Sequence, residues 1–183
     1  MRVVLDACVL YPTVMREILL GAAAEGLYQP LWSGRILEEW ARAAARLGPE
    51  GEAVARGEIA AARARFPRAE VMVPDGAERR LWLPDADDVH VLAAALAGSA
   101  DAILTMNAKD FPRGALMEKG LVRLDPDQFL AGLAERAPEA LARIAEASAA
   151  EATRLSGEEG TVRALLRKAR LNRVAKALAR VSG

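Results

Sequence analysis

An aspartate closes the short apolar run Val3-Val4-Leu5-Asp6, and a second, Asp110, follows the apolar run 102–105 after the link Met106-Asn107-Ala108-Lys109. In open parallel α/β sheets ligands bind beyond the carboxyl ends of the strands, so acids at such places are candidates for chemistry. A turn-forming role explains a lone aspartate equally well. Two further acids sit on expected helices. In the helix starting at Ser33, successive residues turn by about 100°. Glu38 then falls nearly opposite the apolar stripe of Ile36, Trp40, Ala43 and Leu47 and reads as a solvated residue, whereas Glu39 lies at the stripe's border, where a carboxylate can look into a cleft. The run Asp85-Ala86-Asp87-Asp88 opens another helix, and acids there cap it and suit its dipole. Asp88, however, shares a helical line with Leu92 and Ala95, and an unpaired inward carboxylate is costly unless a cation meets it. His90 points away from that line and is expected at the surface, which disfavours a Ser-His-Asp triad.

The chain has one cysteine, Cys8, and one histidine, so a zinc site of Cys and His ligands is out of reach. Any metal has to sit on carboxylates, and Asp6, Glu39, Asp88 and Asp110 form the expected catalytic and metal-binding set. Hard oxygen ligands suit Mg²⁺ or Mn²⁺. Such ions do phosphoryl chemistry, polarising a phosphodiester and lowering the pKa of a bound water.

The elements that must bring these acids together alternate between strand and helix. Strands are expected at 2–5, 27–32, 102–105 and 121–124, with a further possible strand at 71–73. Helices are expected at 14–26, 33–47, 50–66, 87–98 and 126–136, with a loop or short helix at 75–84 and a helical turn at 116–119. This order predicts an α/β fold, a three-layer αβα arrangement around a central, mainly parallel sheet, followed by a helical C-terminal extension. Residues 1–136 are the expected catalytic domain. Residues 137–183 are the extension: an Ala-rich helix, a connector at 155–160 and a last helix at 161–181. At 183 residues, one domain with a small helical appendage is the natural size. No apolar run is long enough to span a membrane and no export signal is evident, so a cytoplasmic protein is expected.

The formal net charge of zero hides an asymmetry. After Glu159 come Arg163, Arg167, Lys168, Arg170, Arg173, Lys176 and Arg180, and no acid; removing these seven from the 25 basic residues leaves 18 against 25 acids. An acidic body with a basic tail suits a polyanion or an acidic partner, so these seven are expected to contact nucleic acid or a partner protein. A helix that packs its apolar stripe on the body and solvates its charges is the simpler reading of the tail.

Four stretches, Val3 to Asp6, Leu31-Trp32-Ser33 with Ile36 to Trp40, Leu83 to Ala95 and Leu104 to Pro112, resemble in order the acidic blocks of the PIN-domain nucleases, and most closely the VapC-like bacterial toxins. The resemblance covers about residues 1–136. It implies a metal-dependent endoribonuclease acting on RNA, with Asp6, Glu39 and Asp88 as metal-binding acids, a small antitoxin as partner and often a homodimer. In the commoner family pattern an aspartate stands two residues after the threonine. Here Asn107 holds that place and Asp110 comes three residues later, so the fourth ligand is open between them. Thr105 either positions water or phosphate or ends its strand.

Two other enzyme readings fit poorly. A haloacid-dehalogenase-type phosphohydrolase wants a second aspartate where Cys8 stands, and no Gly-x-Gly-x-x-Gly follows the first strand for a dinucleotide. A non-enzymatic scaffold of the same fold, binding RNA or a partner through the basic tail without cutting, is the remaining alternative.

Overall fold

The computed structural model describes residues 1–157 and 160–180. In chain order the elements are β1 (Arg2–Leu5), α1 (Ala7–Leu10), α2 (Thr13–Ala24), β2 (Gln29–Leu31), α3 (Gly34–Ala45), α4 (Pro49–Arg65), α5 (Val89–Ala97), β3 (Ala102–Leu104), α6 (Arg113–Met117), β4 (Val122–Leu124), α7 (Pro126–Arg136), α8 (Pro138–Ser156), α9 (Val162–Lys168) and α10 (Asn172–Ala179). Two 3-10 turns, Ala77–Arg80 and Ala86–Asp88, precede α5.

The strands form one all-parallel sheet in the order β2-β1-β3-β4, flanked by helices. Its central strands bury both faces, which is why they read as unbroken apolar runs rather than alternating ones. Val3, Val4 and Leu5 of β1 and all three residues of β3 are fully buried. β2 carries Pro30 opposite Val3, a place open to proline because β2 is an edge strand. Beyond β2 the expected strand at 71–73 reduces to a single parallel bridge between Trp32 and Glu70.

Ser33 caps α3, its hydroxyl accepting from the Ile36 N–H at 3.3 Å. Ile36 and Trp40 are buried as expected, but Leu47 is not part of their stripe. The helix stops at Ala45, and Leu47 is 73% exposed. α5 is buried from Val89 through Ala95, so it has no solvated face in that stretch.

The chain divides into two compact units, one of Met1–Tyr11 with Tyr28–Leu124 and one of Pro12–Leu27 with the residues from Asp125 on. The first holds the whole sheet. In the second, α2 packs on α8 so closely that a Cβ at Gly21 would lie 2.7 Å from Ile144 Cγ2, and only glycine fits there. α7 packs on α10 in the same unit.

The single helix expected over 161–181 is two helices. α9 ends at Lys168, Arg170 takes a left-handed backbone with φ of 63°, and α10 starts at Asn172. Thr161 caps α9 through its hydroxyl on the Ala164 N–H at 3.1 Å. Of the expected connector at 155–160, positions 155 and 156 belong to α8, and Glu158 and Glu159 lie outside the described residues, as does Val181 at the expected helix end.

Candidate active site

β1 and β3 are parallel neighbours, so their carboxyl ends open on the same side, and each hands the chain there to a polar side chain. Asp6 follows β1 and is tied to the next strand by its own N–H, which donates to the Leu104 carbonyl at 3.1 Å. Its side chain is buried, and a buried carboxylate needs hydrogen-bond donors. Two arrive on Oδ2: Thr105 Oγ1 at 2.7 Å and Cys8 Sγ at 3.0 Å. Both donors are held in turn by backbone. Thr105 Oγ1 accepts from the Asn107 N–H at 2.9 Å, and Cys8 Sγ accepts from the Met106 N–H at 3.2 Å.

Thr105 thus does more than end a strand. A hydroxyl has one hydrogen, and this one is directed at Asp6. Burial, reinforced by the charge of Asp6, pushes the Cys8 thiol up to about 12. It is a donor that keeps its proton, not a nucleophile, because only the thiolate attacks.

Asp85, Asp88 and Asp110 each offer a carboxylate oxygen, and the three oxygens lie within 4.8 Å of one another. Asp85 also caps the turn into α5, its Oδ1 accepting from the Asp87 N–H at 3.0 Å. Burial, followed by the negative charges of Asp6, Asp85 and Asp110, raises the Asp88 carboxyl from its ordinary 3.8 to about 6, with His90 pulling the other way. Asn107 Nδ2 donates to Asp88 Oδ2 at 3.2 Å. At the fourth position, then, Asp110 supplies a carboxylate to the cluster and Asn107 supplies an amide hydrogen to one of its members.

Glu39 meets a histidine and an arginine. Its Oε1 lies 2.8 Å from His90 Nε2 and 3.7 Å from Arg35 Nε, and the acids whose charge bears on Asp88 are Asp6, Asp85 and Asp110. His90 is a correction to the sequence reading, since it is 2% exposed rather than on the surface. A helix buried nearly all round leaves no outward face for it to take. The Glu39–His90 approach is short but off the N–H direction, so it is an electrostatic contact rather than an aligned hydrogen bond. His90 Nδ1 has no hydrogen-bond partner among the described residues. Glu38, read as solvated, pairs at the surface with Arg56 and Arg42.

Sequence reasoning missed Asp85, which it took only as part of a helix start, and Cys8 as a donor to Asp6. The first was within reach, because a capping acid one helical turn before Asp88 lies close to it in space. The second was not, because nothing in the sequence sets the rotamer of a thiol.

The tail cations lie in the other unit. Arg163, Arg167 and Lys168 are on α9, Arg173 and Lys176 on α10, Arg170 between the two helices and Arg180 at the end of α10. All seven are exposed, and none makes an ion pair among the described residues.

A family model described as PIN domain matches residues 2–109, more than half of the chain. The chain therefore belongs to the PIN-domain family, whose members are in general metal-dependent nucleases. The match runs from β1 through Asn107 and ends one residue short of Asp110. No curated protein and no solved structure matches the chain. The residues present fit a hard divalent cation. Their donors are all carboxylate oxygens, three of them converge, and burial first and the neighbouring acids second raise the Asp88 carboxyl, a cost that a bound cation would relieve. Among the described residues no helix is long and apolar enough to cross a membrane.

Proposed function

We propose that this chain is a Mg²⁺- or Mn²⁺-dependent endoribonuclease of the VapC-like branch, the toxin of a type II toxin–antitoxin pair acting in the cytoplasm. The observation that carries the reading is the convergence of the Asp85, Asp88 and Asp110 carboxylates, with Asp6 after β1 bearing on Asp88, beside the carboxyl ends of β1 and β3. Asp85, Asp88 and Asp110 would hold the ion together with Asp6. An ion held there supplies Lewis-acid polarisation of a phosphodiester and a water acidic enough to attack near neutral pH.

The chain's own residues prepare that site. Thr105 and Cys8 fix the rotamer of Asp6 by directing two donors at one oxygen, Oδ2, and the Asp6 charge bears on Asp88. Asn107 orients Asp88. In the metal-free protein Asp88 takes up a proton as the pH falls below about 6, so acid competes with the cation for its oxygens. Glu39 takes part through His90, whose ring also acts on Asp88.

Incubating the full chain with end-labelled single-stranded RNA tests the reading. Cleavage should require Mg²⁺ or Mn²⁺, stop with EDTA and be lost in Asp88→Asn with the fold intact. Cleavage that persists in EDTA or in that variant would refute it. A second reading is favoured by Asn107, which stands where the commoner pattern has an aspartate: a scaffold that binds RNA or a partner without cutting. The same assay decides, since that protein would bind RNA and leave it whole in either ion. A small antitoxin and a homodimer belong to the first reading through the resemblance, and co-expression with the gene product encoded directly upstream checks the former.

A further inference from the structure

The seven tail cations look equivalent in sequence, but the structure separates them. Three of them, Arg173, Lys176 and Arg180, border a groove of about 410 Å³ between α7 and α10, with Ala131, Gly132 and Ala177 among its lining residues. From the turn of a helix the three lie within about 60° of one another and span about 10 Å along the axis. Arg180 keeps helical backbone angles although it stands just past α10, so it continues the row.

α10 is seated by α7. Leu171, at its N-cap position, brings no capping side chain, and the Asp127 carboxylate takes that part, accepting from the Arg173 N–H at 3.0 and 2.9 Å and from the Val174 N–H at 3.1 Å. An acid that satisfies backbone donors at a helix start suits the dipole there. Asp127 makes no ion pair with the Arg173 guanidinium, and among the described residues the three cations remain exposed and unpaired in a row. Arginines elsewhere are treated differently: Arg56, Arg63 and Arg154 each hold a glutamate within 3 Å. Among the described residues the acid lining the groove is Glu135.

We infer that this groove binds the sugar–phosphate backbone of single-stranded RNA. The inference rests on the ribonuclease reading for its choice of polyanion and deepens it by naming the surface that holds the substrate. Charge and lining support RNA over a protein partner. A helix docking in a groove needs apolar pockets for its anchors, whereas this groove is lined by small residues, polar groups and cations. An apolar lining is found in the neighbouring cleft of about 200 Å³, with Val162, Leu166, Ala175 and Leu178. Backbone binding needs cations in a row and no large side chain in the way, and carries no sequence preference of its own.

The test measures binding of the full chain to a fluorescein-labelled, mixed-sequence single-stranded RNA in EDTA, as a function of salt. Without divalent ions the readout is independent of cleavage. If each of the three cations meets one phosphate, replacing all three by glutamine should lower the slope of log affinity against log salt by about 2, at about 0.7 per contact, and weaken binding on the order of tenfold at low salt. Arg173→Lys with Arg180→Lys should keep the wild-type slope, because charge and not shape makes the contact. Should the triple variant melt early, Lys176→Gln and Arg180→Gln alone should each remove about 0.7 of slope. Unchanged affinity and slope in variants that keep the wild-type melting temperature would overturn the inference. So would unchanged RNA binding with loss of poly-glutamate binding, which would assign the groove to an acidic polypeptide. A chain that binds RNA with the expected slope yet never cuts it refutes the nuclease reading and leaves the groove standing. Cleavage with an unaltered KM in the triple variant does the reverse.

Discussion

The acidic end of the sheet and the basic helices near the C-terminus both concentrate charge of one sign, and they handle it in opposite ways. At the sheet end three of the acids are constrained. Asp6 is buried and receives two donors, Asp85 caps a turn, and Asp88 is held by Asn107 and burdened by three like charges. On α9 and α10 the cations are exposed and unpaired among the described residues. The contrast separates a site that has to fix a small ion from a surface that has to meet a long, flexible polyanion. The first needs rigid ligands and tolerates raised energy, and the second needs only a row of like charge on a seated helix.

Breaking the first region should have the largest effect. Asp6→Asn removes a carboxylate from the centre while leaving an acceptor oxygen for Thr105 and Cys8, so cleavage should fall by about a thousandfold or more with little change in melting temperature. Single-turnover cleavage in Mg²⁺ measures it, and activity within tenfold of wild type would remove Asp6 from the site.

Thr105→Val should do less. It takes one of two donors from a buried carboxylate, which costs about 1–3 kcal/mol of stability and lets the Asp6 rotamer loosen. Chemical denaturation gives the first quantity, and the drop in divalent-ion affinity gives the second. Thr105→Ser, which keeps the hydroxyl, should restore both.

His90→Gln should be smaller still, because His90 acts on Glu39 and Asp88 electrostatically rather than through a ligand oxygen. The expected sign is a further rise in the Asp88 pKa, seen as a metal-binding pH profile displaced to higher pH. A profile that stays in place would detach His90, and Glu39 with it, from the centre.

What could be read from the sequence follows the same division. β1 and α7 lie where periodicity and capping residues put them, and Ser33 caps α3, because these are local signals. The acids after strands were legible because a parallel sheet brings its carboxyl ends to one side. His90 was not, since the periodicity of an almost wholly apolar helix cannot say which way a polar residue turns. The break at Arg170 was hidden for another reason. Neither glycine nor proline marks it, and the left-handed arginine sits in a turn closed by the Leu171 N–H donating to the Leu166 carbonyl at 2.8 Å, with both leucines buried. The tail's composition was therefore plain, while the groove that sorts its cations depends on that break.

Thermal melting of the metal-free chain with and without added Mg²⁺, from pH 5 to pH 7.5, bears most directly on the Asp88-centred cluster as a divalent-ion site. The folded-state carboxyl of Asp88 titrates at about 6 against an ordinary 3.8, so its contribution is fully present below 3.8 and lost as the pH rises through about 6. The loss is about 1 kcal/mol after allowing for solvent screening at this half-buried position. The metal-free protein should therefore melt progressively lower towards neutral pH, Asp88→Asn should remove most of that decline, and added Mg²⁺ should stabilise wild type increasingly above pH 6 and the variant hardly at all. Equal stabilisation of wild type and Asp88→Asn by Mg²⁺ across the whole range would contradict the account.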